Sequence, residues 1–376
     1  MKTLTLLFAS LALGATSPVP SDGDLVAVRC GILETGTGER IEDAVVLIRD
    51  GVIEDVGRHL EVPGTARVID ASGSWVTPGF VHARSRAGVD GSYSGTHPEI
   101  RISEEFYPHQ RVYADALEAG ITSLILYPTG NGAPGRSAWV KPVGEGAGEM
   151  VRSDAVYLAM SVSTGSSGRK AFRDALDKGR KHLEKVKKAR EKHAEALKKW
   201  EEGQKKKIKE EKDKDKKKEL EKEEFKAFEE PKADEATELA IDLVQGRLHA
   251  VVSFGSPAGL LHMEDVLEDF TAKFKETTDT DLSFDFALVA RSDAWRVAEQ
   301  LAEHGTPVLL PTDLATYPDT RHWVNGIQRL LDAGVEVALV PDGDSKTNYA
   351  HWRFELARMI GLGLDRDKAM AAITGV

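Results

Sequence analysis

Between positions 24 and 77 the chain alternates short apolar runs with turn signals. The runs are Leu25–Val28, Ala44–Ile48, Val52–Val56 and Arg67–Ile69, separated at Gly36–Gly38, Asp50-Gly51 and Pro63-Gly64. Asp-Gly between two apolar stretches is a strong hairpin signal, because both turn positions need positive φ. The pattern predicts a small antiparallel β domain over 24–77.

From Thr77 the period changes. Near-continuous apolar runs, the mark of strands buried on both faces, occur at Ile121–Leu126, Ala155–Ala159, His249–Val252, Phe284–Val289, Pro307–Leu310 and Val337–Val340, with a shorter one at Ala138–Lys141. Helical patterns at Arg111–Ala119, Met263–Phe274, Asp293–His304 and Val324–Ala333 lie between most of them. With a strand at Phe80, eight strands alternate largely with helices. That order predicts an α/β fold, a (β/α)8 TIM barrel over 78–376. A doubly wound open sheet is the competitor, but no glycine-rich phosphate turn follows the first strand.

One stretch breaks the pattern. Residues 178–232 are almost wholly Lys, Glu, Arg, Ala and Asp, with Leu183, Val186, Leu197, Trp200, Ile208 and Leu220 thinly spaced. Low apolar content and interleaved charge predict a solvent-facing helical pair that projects from the barrel with little buried area. A coiled-coil-like insertion would need apolar seam positions through several heptads, and these are missing after Trp200. A partner-binding arm or lid is the functional reading of the same residues, and a solvated insertion the plainer one.

Composition narrows the classes. A net charge of −11 over 376 residues argues against non-specific nucleic-acid binding. A single cysteine, Cys30, excludes an internal disulfide and a cysteine-based zinc cluster. Residues 1–17 carry one lysine, an apolar run and then small residues, the layout of a signal peptide. The expectation is export, to a periplasmic or extracellular location. No other stretch is apolar enough to span a membrane.

The candidate chemistry centres on Val76–Gly88, a Pro78-Gly79 turn leading into a short strand. Alternation on a strand would point His82, Arg84 and Arg86 to one face. This stretch, with Ala116–Thr122, Pro128–Gly132, Asp293–Val308 and Gly334–Asp342, resembles the amidohydrolase superfamily. Within it the chain is most similar to the imidazolonepropionase-type branch with a long charged helical insertion. The resemblance implies that the N-terminal unit is a β-sandwich-like composite domain, completed by strands from beyond the barrel. Since the chain stops at Val376, the expectation is either a fragment or the first half of a longer polypeptide.

The resemblance also implies a divalent metal such as zinc at the C-terminal mouth of the barrel, activating water for hydrolysis of non-peptide C–N bonds, with an aspartate at the last strand handling the proton. Asp342 matches that aspartate. The two first-strand histidines fall on Arg84 and Arg86, which have no lone pair to donate. The later ligands fall on Ser253 or Gly255 and near Val289 or Ala290. His82 and Lys141 are possible mouth residues; a structural histidine and a solvent-facing lysine are the plainer readings. His249 begins its strand, at the wrong end for a ligand.

Two functional readings follow from these substitutions. In the first the chain is a degenerate member, a pseudoenzyme with no cofactor. It would act as a scaffold or bind a small-molecule ligand, as a homo-oligomer or beside an active amidohydrolase domain, with Arg84 or Arg86 in ion-pair reach of Asp342. The second is an active C–N hydrolase with an atypical metal site centred on Asp342.

Overall fold

Asp50 and Gly51 form the tip of a two-residue hairpin, with φ of 51° and 80°. Positive φ at both positions is what a type I′ turn requires. The turn joins β2 (Arg40–Arg49) to β3 (Val52–Arg58), with Arg49 opposite Val52. The structure is a computed structural model that describes residues 24–374 except 37, 214, 216–219, 221 and 318. The signal-peptide expectation for 1–17 lies outside the described residues.

In this first unit β1 (Leu25–Glu34) pairs antiparallel with β2 and parallel with β4 (Arg67–Val76), in the order β3-β2-β1-β4. The expectation of a purely antiparallel unit is corrected at β4. The chain leaves β3 at one edge and enters β4 at the other, so β4 runs with β1. Cys30, Leu33, Ala44 and Val46 make its small buried cluster. Burial raises the Cys30 thiol above its usual pKa, which keeps it protonated.

The first compact unit ends at Pro78 and the second begins at Gly79. The second is mixed α/β. In one of its sheets β5 (Phe80–Ser85) runs parallel to β7 (Ile121–Leu126), followed by β9 (Ala138–Val140) and β10 (Val151–Ser153). A longer sheet starts from β6 (Tyr93–Thr96) and β8 (Gly130–Arg136) and continues through β11 (Leu158–Val162), β12 (Ala250–Phe254), β13 (Phe286–Val289), β14 (Val308–Pro311) and β17 (Val337–Val340). From β11 to β17 every pairing in that sheet is parallel. Between β14 and β17 the short strands β15 (Ala315–Thr316) and β16 (Trp323–Val324) pair with each other.

Two layers of apolar side chains result. The larger cluster fills the space between strands and helices, around Leu124, Phe172, Leu260 and Trp352. A second draws Tyr157, Ala159, Val251, Val289, Leu309 and Val340 from the parallel strands, with Ala83 of β5 packed against them. Among the described residues β5 and β17 share no ladder, although Val81 and Ala83 line a small cavity with Ala338, Leu339 and Val340. The expected third strand departs from expectation: β9 is antiparallel to β7. Only Ser137 separates β8 from β9, and its amide and hydroxyl both bond the backbone of Tyr157, turning the chain sharply there.

The charged stretch is corrected at both ends. A single helix, Ser166–Glu210, spans 45 residues, about 68 Å at 1.5 Å per residue. Its first part is core: Phe172, Leu176, Gly179, Arg180 and Val186 are buried. Arg180, 3% exposed, is held by Asp177 at 2.7 Å and Glu184 at 3.0 Å. The described residues 222–234 then run back without helix, where the expected helical pair would place one. Phe225 packs on Trp200 and His193, at ring centroid distances of 5.6 and 5.1 Å, and Arg190 bonds Glu230 at 2.9 Å. Aromatic anchors fix this return, and Pro231 at its end disfavours helix just before it.

Candidate functional site

The site is set by an irregularity in β5. His82 lies opposite Leu124 and Ser85 opposite Leu126, so three steps on β5 match two on β7. One extra residue in a strand breaks its alternation. His82 and Ser85 therefore share a face, both directed at Asp344 beside the helix Lys346–Gly361, while Arg84 turns into a cavity at the C-terminal ends of the strands. The expectation that His82 shares the face of Arg84 is corrected: alternation assumed a regular strand.

The cavity has a volume of about 840 Å³ and is lined by Arg84, Arg86, Ser253, Gly255, Ala290 and Asp342 among others. Within it the Arg84 guanidinium lies 4.3 Å from the Tyr127 ring centroid, and its Nη2 donates to Ser253 Oγ at 3.5 Å. The stack is a cation–π contact. Arg84 is half-buried, and among the described residues no carboxylate approaches it within 4 Å.

Arg86 is committed differently. Its guanidinium donates to Thr129 Oγ1 at 2.5 Å and to the carbonyls of Val89 and Gly91 at 3.1 and 2.5 Å. Its backbone amide donates to Asp344 Oδ2 at 2.6 Å. Neither arginine forms an ion pair with Asp342, which corrects that expectation. The carboxylate that engages this loop is Asp344, two residues on.

Asp344 was missed from the sequence. Its Oδ1 accepts from Ser85 Oγ at 2.6 Å and from Tyr349 OH at 3.1 Å, and lies 3.3 Å from His82 Nε2. Burial by itself would raise this carboxyl. The His82 ring, the Ser85 hydroxyl and the Arg86 amide outweigh it and hold the carboxyl below its usual range. His82 is fully buried, and neither ring nitrogen has hydrogen-bond geometry to a partner among the described residues. The signal was present as a second acid after a glycine, Pro341-Asp-Gly-Asp344. Gly343 has φ 145°, and a Cβ there would come 2.4 Å from Asn348 Nδ2. That backbone turns Asp344 inward and leaves Asp342 exposed at the cavity.

Asp313, half-buried after β14, also lines the cavity. Burial, and then the charge of Asp342, push its carboxyl above the usual range. Lys141 is elsewhere. Because β9 runs antiparallel to β7, Lys141 lies level with Ser123, away from the cavity, and donates to the Ser123 hydroxyl at 2.9 Å. Burial, and then Arg152, lower its pKa. His249 pairs with Asp285 at 2.9 Å at the start of β12.

A divalent metal needs at least three donors with lone pairs. The cavity presents guanidinium at Arg84, hydroxyl at Ser253, and no side-chain donor at Gly255 or Ala290. Among the described residues no group of three or more His, Cys, Asp or Glu converges. This donor set does not fit a catalytic zinc or a similar ion.

No family model matches the chain. Local matches reach curated proteins. The chain is 36% identical over 85 residues to the dihydropyrimidinase-related protein 5 of Homo sapiens, covering 22% of this chain and 13% of that protein. It is 47% identical over 51 residues to the dihydroorotase of Mycobacterium tuberculosis, covering 14% and 11%. An imidazolonepropionase of Pseudomonas entomophila is 40% identical over 57 residues, 15% of this chain and 14% of that protein. The matched part is thus a small share of each relative. A solved amidohydrolase from Thermotoga maritima superposes with a TM-score of 0.61 at 20% identity, over 92% of this chain and 85% of that one, and shows a shared fold.

Proposed function

We propose that this chain is an amidohydrolase-superfamily protein whose second unit is a (β/α)8 barrel, and whose mouth binds a small molecule without metal-dependent hydrolysis of C–N bonds. The ring of inward side chains from β5, β11, β12, β13, β14 and β17 supports the barrel. One observation carries the functional reading: the Arg84 guanidinium stands in the mouth over Tyr127 and against Ser253, where an imidazole would have to stand to hold a metal. The test is hydrolysis of amide, hydantoin-type and imidazolone substrates with zinc or manganese supplied. The expected outcome is no metal-dependent turnover; turnover abolished by a chelator would overturn it.

A second reading, an active hydrolase centred on Asp342, is favoured by the raised Asp313 carboxyl beside it. A carboxyl raised by burial beside an exposed one is the kind of pairing that general acid–base catalysis uses. It would give a pH–rate profile that loses a limb in Asp313→Asn. A partnership with an active amidohydrolase domain, self-association and export belong to the first proposal. Export rests on the leading apolar residues alone.

A further inference from the structure

We infer that the mouth is a site for a small zwitterion, an amino-carboxylate whose carboxylate is held by Arg84 and whose ammonium faces Asp313 and Asp342. This rests on the metal-free reading of the same cavity and names its ligand class.

Several charged side chains of the cavity have no opposite charge within 4 Å among the described residues. Arg84 is half-buried, its ring neighbour and its one hydroxyl contact are neutral, and a guanidinium withdrawn from water without an anion is costly. Arg291, also in the lining, is exposed and likewise has no carboxylate within 4 Å among the described residues. Against these stand Asp313 and Asp342, neither with a cation within 4 Å among the described residues. The other charges of the lining are satisfied internally: Arg86 by Thr129 and two carbonyls, Asp344 by Ser85, Tyr349 and the Arg86 amide. What remains open to a ligand is two cationic groups, half-buried Arg84 and exposed Arg291, and one pair of acids, Asp313 and Asp342.

Geometry selects the class further. The Arg84 guanidinium lies over the Tyr127 ring with Nη2 on Ser253, and its remaining N–H donors suit a planar carboxylate. Ser253 Oγ, beside it, accepts from Arg84 and has its own proton to give to the ligand. A phosphate dianion would bring its second charge against two aspartates. A plain amine would leave Arg84 without a counter-charge. An amino-carboxylate answers both ends, and its ammonium offsets the burial and the neighbouring Asp342 charge that hold the Asp313 carboxyl high. At about 840 Å³ the cavity exceeds the smallest amino acids, so longer ω-amino acids or short peptides are the better fit.

The experiment is calorimetric titration of the full chain, in the presence of a chelator, with a series of ω-amino acids of increasing length. Each is compared with the carboxylic acid and the amine of the same carbon count, and with inorganic phosphate. At the best length the zwitterion is expected to bind at least about tenfold more tightly than either matched compound, a difference of about 1.4 kcal/mol. Arg84→Gln should weaken it by a similar factor or more, and Arg84→Lys by less. Asp313→Asn with Asp342→Asn should reduce the zwitterion to the affinity of the carboxylic acid. The proposal is overturned if the amine or phosphate binds as well as the zwitterion, if Arg84→Gln changes nothing, or if no member of the series binds saturably to folded wild-type protein. The wild-type series stands whether or not a variant folds. Because the titration excludes metal, a failure there sinks the ligand class alone. A metal found at the mouth would sink the reading beneath it.

Discussion

Ser85 donates a 2.6 Å hydrogen bond to Asp344 across 259 residues of sequence. The bond ties the end of the unit's first strand to the loop after its last, with the Arg86 amide and Tyr349 hydroxyl closing on the same carboxylate. It fixes the edge of the cavity from which Arg84 projects.

Asp344→Ala should therefore cost roughly 3 kcal/mol, because it strands a buried hydroxyl, an amide and the His82 ring together. Chemical denaturation of the variant, with slope unchanged, measures this. A cost near zero would mean that the network does not hold the loop.

The same carboxylate predicts an acid dependence. Its folded pKa is held below the ordinary value of 3.8, so the unfolded state binds its proton first. Its stabilisation is fully present above that value and is lost as pH falls through the lower folded pKa. Melting curves of the wild type and Asp344→Asn, taken from about pH 6 to about pH 2, should converge on acidification. A constant separation would contradict the assignment.

The two arginines should behave oppositely. Arg86→Met removes donors from Thr129 Oγ1 and two carbonyls and should cost about 2 kcal/mol. Arg84→Met removes a half-buried cation without a counter-charge and should leave stability within about 1 kcal/mol, or raise it. Equal losses for both would show Arg84 to be structural, and would weaken its role as a ligand anchor.

Gly179→Ala tests where the charged stretch begins. A Cβ there would lie 2.2 Å from the Ala240 carbonyl oxygen, so helices Ser166–Glu210 and Glu235–Val244 would have to part. The expected cost is roughly 1–3 kcal/mol. No loss on denaturation would mean that this base is not packed.

The sequence made the α/β alternation legible because strands buried on both faces leave apolar runs too long to miss. It also marked the Asp50-Gly51 hairpin through its turn chemistry. What it hid were single-residue effects. The bulge between His82 and Ser85 has no composition signal, yet it reversed the facing of His82 relative to Arg84. Lys141 was misplaced because β9 runs antiparallel, which a three-residue strand does not reveal. Asp344 was overlooked beside Asp342 because only the backbone at Gly343 decides which acid turns inward. The charged stretch seemed solvated because buried Arg180 carries its own carboxylates, so its polarity concealed its packing.

An arginine-anchored ligand site at the mouth, working without metal, is open to a direct test. The most direct measurement is the metal-to-protein ratio after mild purification, by elemental mass spectrometry, before and after a chelator. Zinc, manganese and iron well below one per chain are expected, with ligand affinity at the mouth unchanged by the chelator. One tightly held metal per chain, whose removal also removes a hydrolase activity, would contradict the account.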